Sequence, residues 1–168
     1  MKTLLYMAIS ADGYIADSKG GVPWSDHEWK KFARQVRACG NIIVGRKTFE
    51  IMQKRGDFSN LGDPHIVVVS RTLNRVSEKN FDVAKTPEHA LEILAAKNIP
   101  LAFIGGGAEL NGSFIAQALI DEIILDVEPF LLGQGIPLFQ GGPLEQKLEL
   151  TGSESYEGGI ALHYKVIK

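Results

Sequence analysis

Short apolar runs at residues 3–9, 41–44, 66–69, 81–84, 101–104 and 122–127 alternate with stretches of helical periodicity along this chain. Few folds accept that pattern. A run such as Ile66-Val67-Val68-Val69, β-branched or aliphatic throughout, suits a strand covered on both faces. Strands alternating with helices imply a mostly parallel sheet with right-handed crossovers and helices on each side. The last two strands, near residues 147–155 and 159–167, are joined by a Gly-containing turn and read as an antiparallel hairpin. The expected fold class is α/β, a three-layer sandwich in one domain spanning residues 1–168.

Between the strands, residues 10–25 read as a Gly-rich loop with Asp12-Gly13, Gly20-Gly21 and Pro23. Ser25 or Asp26 caps a helix to about Ala38, with Glu28 near its positive end. Thr48 is expected to cap a short helix over 49–54. Thr86-Pro87-Glu88 opens another helix, with proline at its first position, ending near Lys97. A further helix follows Gly105-Gly106-Gly107 and ends near Leu119.

Composition narrows the function. Lys plus Arg number 18 and Asp plus Glu 20, a net charge of −2. No global basic field is available for nucleic acid or an anionic membrane. The single cysteine, Cys39, forms no internal disulfide and suggests a reducing compartment. No apolar stretch approaches the ~20 residues a bilayer requires, so a cytoplasmic protein is expected. His27, His65, His89 and His163 are scattered, so no metal site is expected.

Ligands of open α/β sheets bind at the carboxyl ends of strands, beside helix N-termini. Three loops at such ends have unusual chemistry. Gly45-Arg46-Lys47-Thr48 offers backbone N–H groups, two cations and a hydroxyl, as a phosphate requires, although a polar turn with a Thr cap would read the same. Ser70-Arg71-Thr72 repeats the logic and suits a second phosphate, such as the one that distinguishes NADP from NAD. Gly105-Gly106-Gly107 permits close approach of backbone and ligand, or is a flexible connector. Together the loops describe a polyphosphate dinucleotide lying across the strand ends.

At these residues the chain resembles the dihydrofolate reductase fold, and within it the reductase domain of riboflavin biosynthesis. Ser10-Ala11-Asp12-Gly13-Tyr14-Ile15-Ala16 is similar to that group's opening loop. Pro23-Trp24, Gly45-Arg46-Lys47-Thr48-Phe49-Glu50 and Val67-Val68-Val69-Ser70-Arg71 resemble motifs of the folate enzymes. Asp121-Glu122-Ile123-Ile124-Leu125, then Pro129-Phe130-Leu131-Leu132-Gly133-Gln134-Gly135 and Pro137-Leu138-Phe139, resemble the riboflavin group. The matches keep their order over nearly the whole chain.

The resemblance implies hydride transfer from NADPH. It assigns Gly45, Arg46, Lys47, Thr48, Ser70, Arg71 and Thr72 to the cofactor's phosphates. Gly105, Gly106, Gly107, Ala108, Glu109 and Leu110 would pack on its pyrophosphate and nicotinamide half, and Ala8 and Ile15 would meet the nicotinamide. It also implies a cis peptide at Gly105–Gly106. Acid candidates are Asp26 and Glu28, either of which could instead serve only the helix dipole, and Asp126, where the folate enzymes have Thr. Tyr6 stands where the riboflavin group commonly has Lys, and that group's Asp-Asp-Pro segment is missing. Trp24, Phe49 and Phe58 could form a flat pocket for a heterocycle or belong to the core; Tyr6, Trp24 and Phe49 are the substrate-contact candidates.

The expected activity is NADPH-dependent reduction of a small nitrogen heterocycle, of the 5-amino-6-(5-phosphoribosylamino)uracil reductase type, without an attached deaminase domain. Dihydrofolate reductase is the alternative, weakened because Pro64 lies where the folate enzymes place a carboxylate-gripping Arg. A nucleotide-binding module without turnover is the second alternative. The apolar segment 129–139 and the group's habit of association through late strands imply a homodimer.

Overall fold

A computed structural model describes residues 1–76 and 79–168. Its strands are β1 (Lys2–Ser10), β2 (Tyr14–Asp17), β3 (Asn41–Gly45), β4 (His65–Val69), β5 (Phe81–Ala84), β6 (Leu101–Ile104), β7 (Glu122–Glu128), β8 (Gly135–Pro137), β9 (Leu148–Tyr156) and β10 (Gly159–Val166). The α-helices are α1 (Asp26–Cys39), α2 (Arg46–Arg55), α3 (Pro87–Ala96) and α4 (Ala108–Ala116), with a 3-10 turn at Asp57–Asn60.

Eight strands form one sheet in the order β5-β4-β3-β6-β1-β7-β10-β9. From β5 to β7 every neighbouring pair is parallel, and β10 and β9 add antiparallel pairing at one edge. This is the expected three-layer α/β sandwich with its C-terminal hairpin.

Strand alternation divides the core between the two helical layers. Leu4, Tyr6, Ile42, Val44, Ile66, Val68 and Phe103 face α1 and α2, where Ala33, Val36, Phe49 and Met52 meet them. Leu5, Ile43, Val67, Ala102 and Ile104 face the opposite layer, with Ala90 and Leu94 of α3 and Leu110, Phe114 and Ile115 of α4. Both faces of the central strands are therefore covered, which is why their sequences are apolar without alternation.

Three local readings change. The loop 10–25 contains β2, which pairs antiparallel with β8 as a separate two-stranded sheet. A four-residue strand whose partner lies far along the chain carries no local signal. Second, α2 starts at Arg46 with Gly45 as its N-cap, so Thr48 sits inside the first turn and caps nothing. Third, the cis peptide joins Gly106 and Gly107, not Gly105 and Gly106. Just past β6, Gly105 N–H still donates to the Ile43 carbonyl at 2.9 Å, so the turn falls one residue later.

Candidate functional site

Because the central strands are parallel, the ends of β1, β3, β4 and β6 share one edge of the sheet. A cleft of about 1260 Å³ runs along that edge. Its walls include Met7 and Ala8 of β1, Ile15 of β2, and the loops at Gly45–Thr48, Ser70–Thr72 and 105–110, Gly106 excepted. Gly106 lies beneath, its carbonyl accepting the Gly45 N–H at 2.8 Å and so tying two of the loops together.

Two helix N-termini open onto this cleft without side-chain caps. Ser25 caps α1 and Thr86 caps α3 through their hydroxyls, whereas α2 and α4 begin on Gly45 and Gly107 with no such bond. The first N–H groups of α2 and α4 thus remain available to an anion, in the positive field of each helix end. A Cβ on Gly107 would lie 3.1 Å from Thr48 Oγ1, so a side chain there would crowd the space between the two ends.

Cations surround the same space. Arg46 pairs with Glu50 at 2.7 Å and Lys47 with Glu109 at 2.8 Å, both as exposed ion pairs. Such pairs are weak in water and give way readily to a phosphate. Lys47, hydrogen-bonded to Glu109, holds that carboxyl below its usual range, with Arg71 and Arg46 adding to the effect. Ser70 Oγ accepts the N–H groups of Thr72 at 3.3 Å and Leu73 at 2.9 Å, shaping the turn that presents Arg71. Lys85 Nζ fastens the following segment through the Leu73 carbonyl at 2.6 Å and Asn74 Oδ1 at 2.9 Å. These donors and glycines fit a dinucleotide polyphosphate.

The other end of the cleft is aromatic and acidic. Trp24, Trp29 and Phe32 line it together with Glu28. Trp29 and Phe32 stack with ring centroids 5.4 Å apart. Glu28 is 5 % exposed. Burial, reinforced by the charges of Asp126 and Glu128 and opposed by Lys31, pushes its carboxyl up to about 8. A carboxylic acid that keeps its proton at neutral pH and faces a cleft can donate that proton to a ligand.

Behind Glu28 lies a buried polar cluster. Asp126, fully buried, accepts Lys31 Nζ at 2.6 Å and the hydroxyl of Tyr6. Glu128 accepts the Tyr156 hydroxyl at 2.8 Å, and Lys31 Nζ sits 4.1 Å from the centre of the Tyr156 ring. Burial first, then the adjacent carboxylates, raise both phenols above their ordinary range.

This geometry rearranges the candidates drawn from sequence. Asp26 is exposed at the first position of α1 and does not line the cleft. Asp126 lies behind the wall, paired with Lys31, so it reaches a ligand only through other groups. Tyr6 contributes to the wall of the cleft, although it is fully buried and its hydroxyl is committed to Asp126. Phe49 is a core residue: its ring packs on Phe58 and Phe81 at 5.7 and 5.8 Å, away from the cleft. Trp29 and Phe32 replace Phe49 and Phe58 beside Trp24 because α1, not α2, carries the aromatic side of the cleft.

Lys31, Glu128 and Tyr156 were not legible as site residues. Two signals existed. Glu28 and Lys31 are three apart on one helix face, and Asp126 and Glu128 share one face of a strand whose other residues after Glu122 are apolar.

Residues 2–162 match the RibD C-terminal domain. The chain belongs to that family. It is 30 % identical over 171 residues to the uncharacterized protein YwjB of Bacillus subtilis, covering 97 % of each chain. It is 30 % identical over 112 residues to dihydrofolate reductase 1 of Haloarcula marismortui, covering 66 % of this chain and 58 % of that one. Among solved structures, a putative riboflavin biosynthesis protein from Shewanella shares the fold with a TM-score of 0.79 at 23 % identity, each chain covered completely. The Thermotoga maritima deaminase/5-amino-6-(5-phosphoribosylamino)uracil reductase superposes with a TM-score of 0.76 at 15 % identity, over 99 % of this chain and 56 % of that one. Among the described residues of this RibD C-terminal domain, no helix is long and apolar enough to cross a membrane and no group of acidic, His and Cys side chains is placed to hold a metal.

Proposed function

We propose that this RibD C-terminal domain is an NADPH-dependent reductase of a small nitrogen heterocycle, of the 5-amino-6-(5-phosphoribosylamino)uracil reductase type. One observation carries the reading: a single cleft joins a polyphosphate cradle, built on two uncapped helix ends, to an aromatic pocket with a protonated carboxyl. When bound, NADPH supplies a hydride and leaves as NADP⁺. Arg46, Lys47 and the N-termini of α2 and α4 would hold its pyrophosphate, and Ser70, Arg71 and Thr72 its 2′-phosphate. Trp24, Trp29 and Phe32 would orient the heterocycle and exclude water. Glu28 would give its proton to the nitrogen of a C=N bond as the adjacent carbon accepts the hydride, and recover a proton from solvent. Asp126 takes no part at the reacting atoms in this scheme.

The test is NADPH oxidation, followed spectrophotometrically against aminouracils, pterins and quinones. Oxidation with an aminouracil supports the reading. Turnover of dihydrofolate alone would favour the second reading, which the likeness to the Haloarcula protein supports and the buried Pro64 weakens. Cofactor binding with no oxidation by any compound would leave only a nucleotide-binding module.

Arg71→Ala is expected to weaken NADPH more than NADH, by about 1.5–3 kcal/mol for a hydrogen bond to a charged group. Fluorescence titration of both cofactors measures the difference; equal losses would remove Arg71 from the 2′-phosphate. We also propose that the chain forms a homodimer in the reducing interior of the cell. Among the described residues, β9 is the edge strand of the sheet beyond β10, with Leu148 and Leu150 exposed, and Phe130 and Leu131 are exposed in the 129–139 segment. Sedimentation equilibrium at micromolar concentration should give twice 18.4 kDa, and a mass near 18.4 kDa itself would reject the dimer.

A further inference from the structure

The cluster behind Glu28 is unusual in its balance of charge. Three carboxyl groups, Glu28, Asp126 and Glu128, are each 5 % exposed or less, and among the described residues the amine set between them is Lys31. The groups that face Glu28 from the packed elements are Tyr6 of β1, Lys31 of α1, Asp126 and Glu128 of β7, and Tyr156 of β9. His27 stacks on the outer face of Tyr156, at 5.5 Å between ring centres.

The donors are not shared evenly. Asp126 receives two, Lys31 on one oxygen and Tyr6 on the other. Glu128 receives the Tyr156 hydroxyl. No hydrogen bond to the Glu28 carboxyl is made among the described residues. A donor stabilises the ionised form of the acid it serves, so a proton that enters this low-dielectric cluster settles on the acid without donors. That acid is also the one on the cleft wall.

We propose that Lys31 and Asp126 are positioning residues that keep the exchangeable proton of this buried cluster on the cleft-facing carboxyl of Glu28. The charge of Asp126 discourages ionisation of Glu28, while Asp126 already holds two donors, Lys31 and Tyr6, and Glu28 holds none among the described residues. The functional value of that arrangement rests on the reading of Glu28 as the proton source. Where the proton sits does not.

Carboxyl-carbon NMR of the labelled protein, without cofactor or substrate, tests the proposal. The Glu28 resonance is the one missing in Glu28→Gln, and in the unaltered protein it should titrate alone with a midpoint near 8. Asp126→Asn should lower that midpoint by about 1–3 pH units, the usual effect of removing a close like charge. Lys31→Met should make Glu28 and Asp126 titrate together as a coupled pair. Lys31→Arg should restore the single-carboxyl behaviour. Should either single variant fail to fold, Lys31→Met combined with Asp126→Leu removes the ion pair as a unit and still lowers the midpoint. A midpoint that stays within about 0.3 unit of the original in every variant that folds overturns the proposal. If the resonances behave as stated and NADPH is never oxidised, the reductase reading falls and the placement of the proton stands.

Discussion

Glu28→Gln is expected to bind NADPH as the unaltered protein does, to lose about 10²–10³-fold in reductive turnover at neutral pH, and to resist alkali better. Gln copies the shape of a protonated Glu and has no proton to give, so the loss should fall on turnover and leave cofactor affinity alone. The stability effect runs the other way. The Glu28 carboxyl is raised in the folded protein from 4.5 to about 8, so between these values the folded state binds a proton that the unfolded state has released. Stability therefore falls as pH rises through that window, and levels off above it. At 1.36 kcal/mol for each pH unit, the whole effect is at most about 5 kcal/mol. Gln carries no such penalty. Denaturant unfolding at pH about 5 and about 9 reads this directly, with the variant gaining on the unaltered protein at the higher pH. Parallel pH dependences for the two proteins would show that Glu28 is not held protonated. Full turnover in Glu28→Gln would show that the proton comes from elsewhere.

Gly112→Ala is expected to destabilise the fold by about 3 kcal/mol, a fall of about 6–12 °C in Tm for a chain of this size. Helix propensity alone points in the opposite direction, since Ala improves on Gly by about 1 kcal/mol in a helix interior. Gly112 lies within α4, where an added Cβ would stand 1.8 Å from the carbonyl oxygen of Gln140 and 2.8 Å from its carbonyl carbon. Those are backbone atoms, which cannot rotate aside. The segment that carries them is pinned to the start of the same helix, Gln140 N–H donating to the Ala108 carbonyl at 3.0 Å. Either the helix or the segment must move, and Ala108 and Gln140 both line the cleft, so cofactor affinity should fall as well. Gly152→Ala on β9 is the matched control, because nothing lies within 4 Å of the added Cβ. A thermal scan that finds Gly112→Ala as stable as the unaltered protein would show that α4 does not press on this segment.

Much of the architecture could be read from the chain alone, for a reason of solvent rather than of detail. Strands such as Ile66-Val67-Val68-Val69 must be buried on both faces, and only helices on both sides of a parallel sheet do that. The same logic located the three strand-end loops, because parallel strands bring their carboxyl ends to one edge wherever the loops lie in sequence. Ser25, Thr86 and Pro87 marked helix starts through local chemistry that needs no partner. Tertiary contact decided the rest. Which acid meets the cleft depends on how α1 is rotated against β7, and that rotation exposes Asp26, turns Glu28 to the cleft and takes Asp126 onto Lys31. Phe49 belongs to the core because Phe58 and Phe81 meet it there, one from the turn after α2 and one from the sheet's far edge. The pairing of β2 with β8 joins segments with no neighbourhood in sequence. Burial and the sum of nearby charges set the protonation of Glu28, and both are properties of packed neighbours, whereas the apolar periodicity that marks a strand is a property of the strand itself.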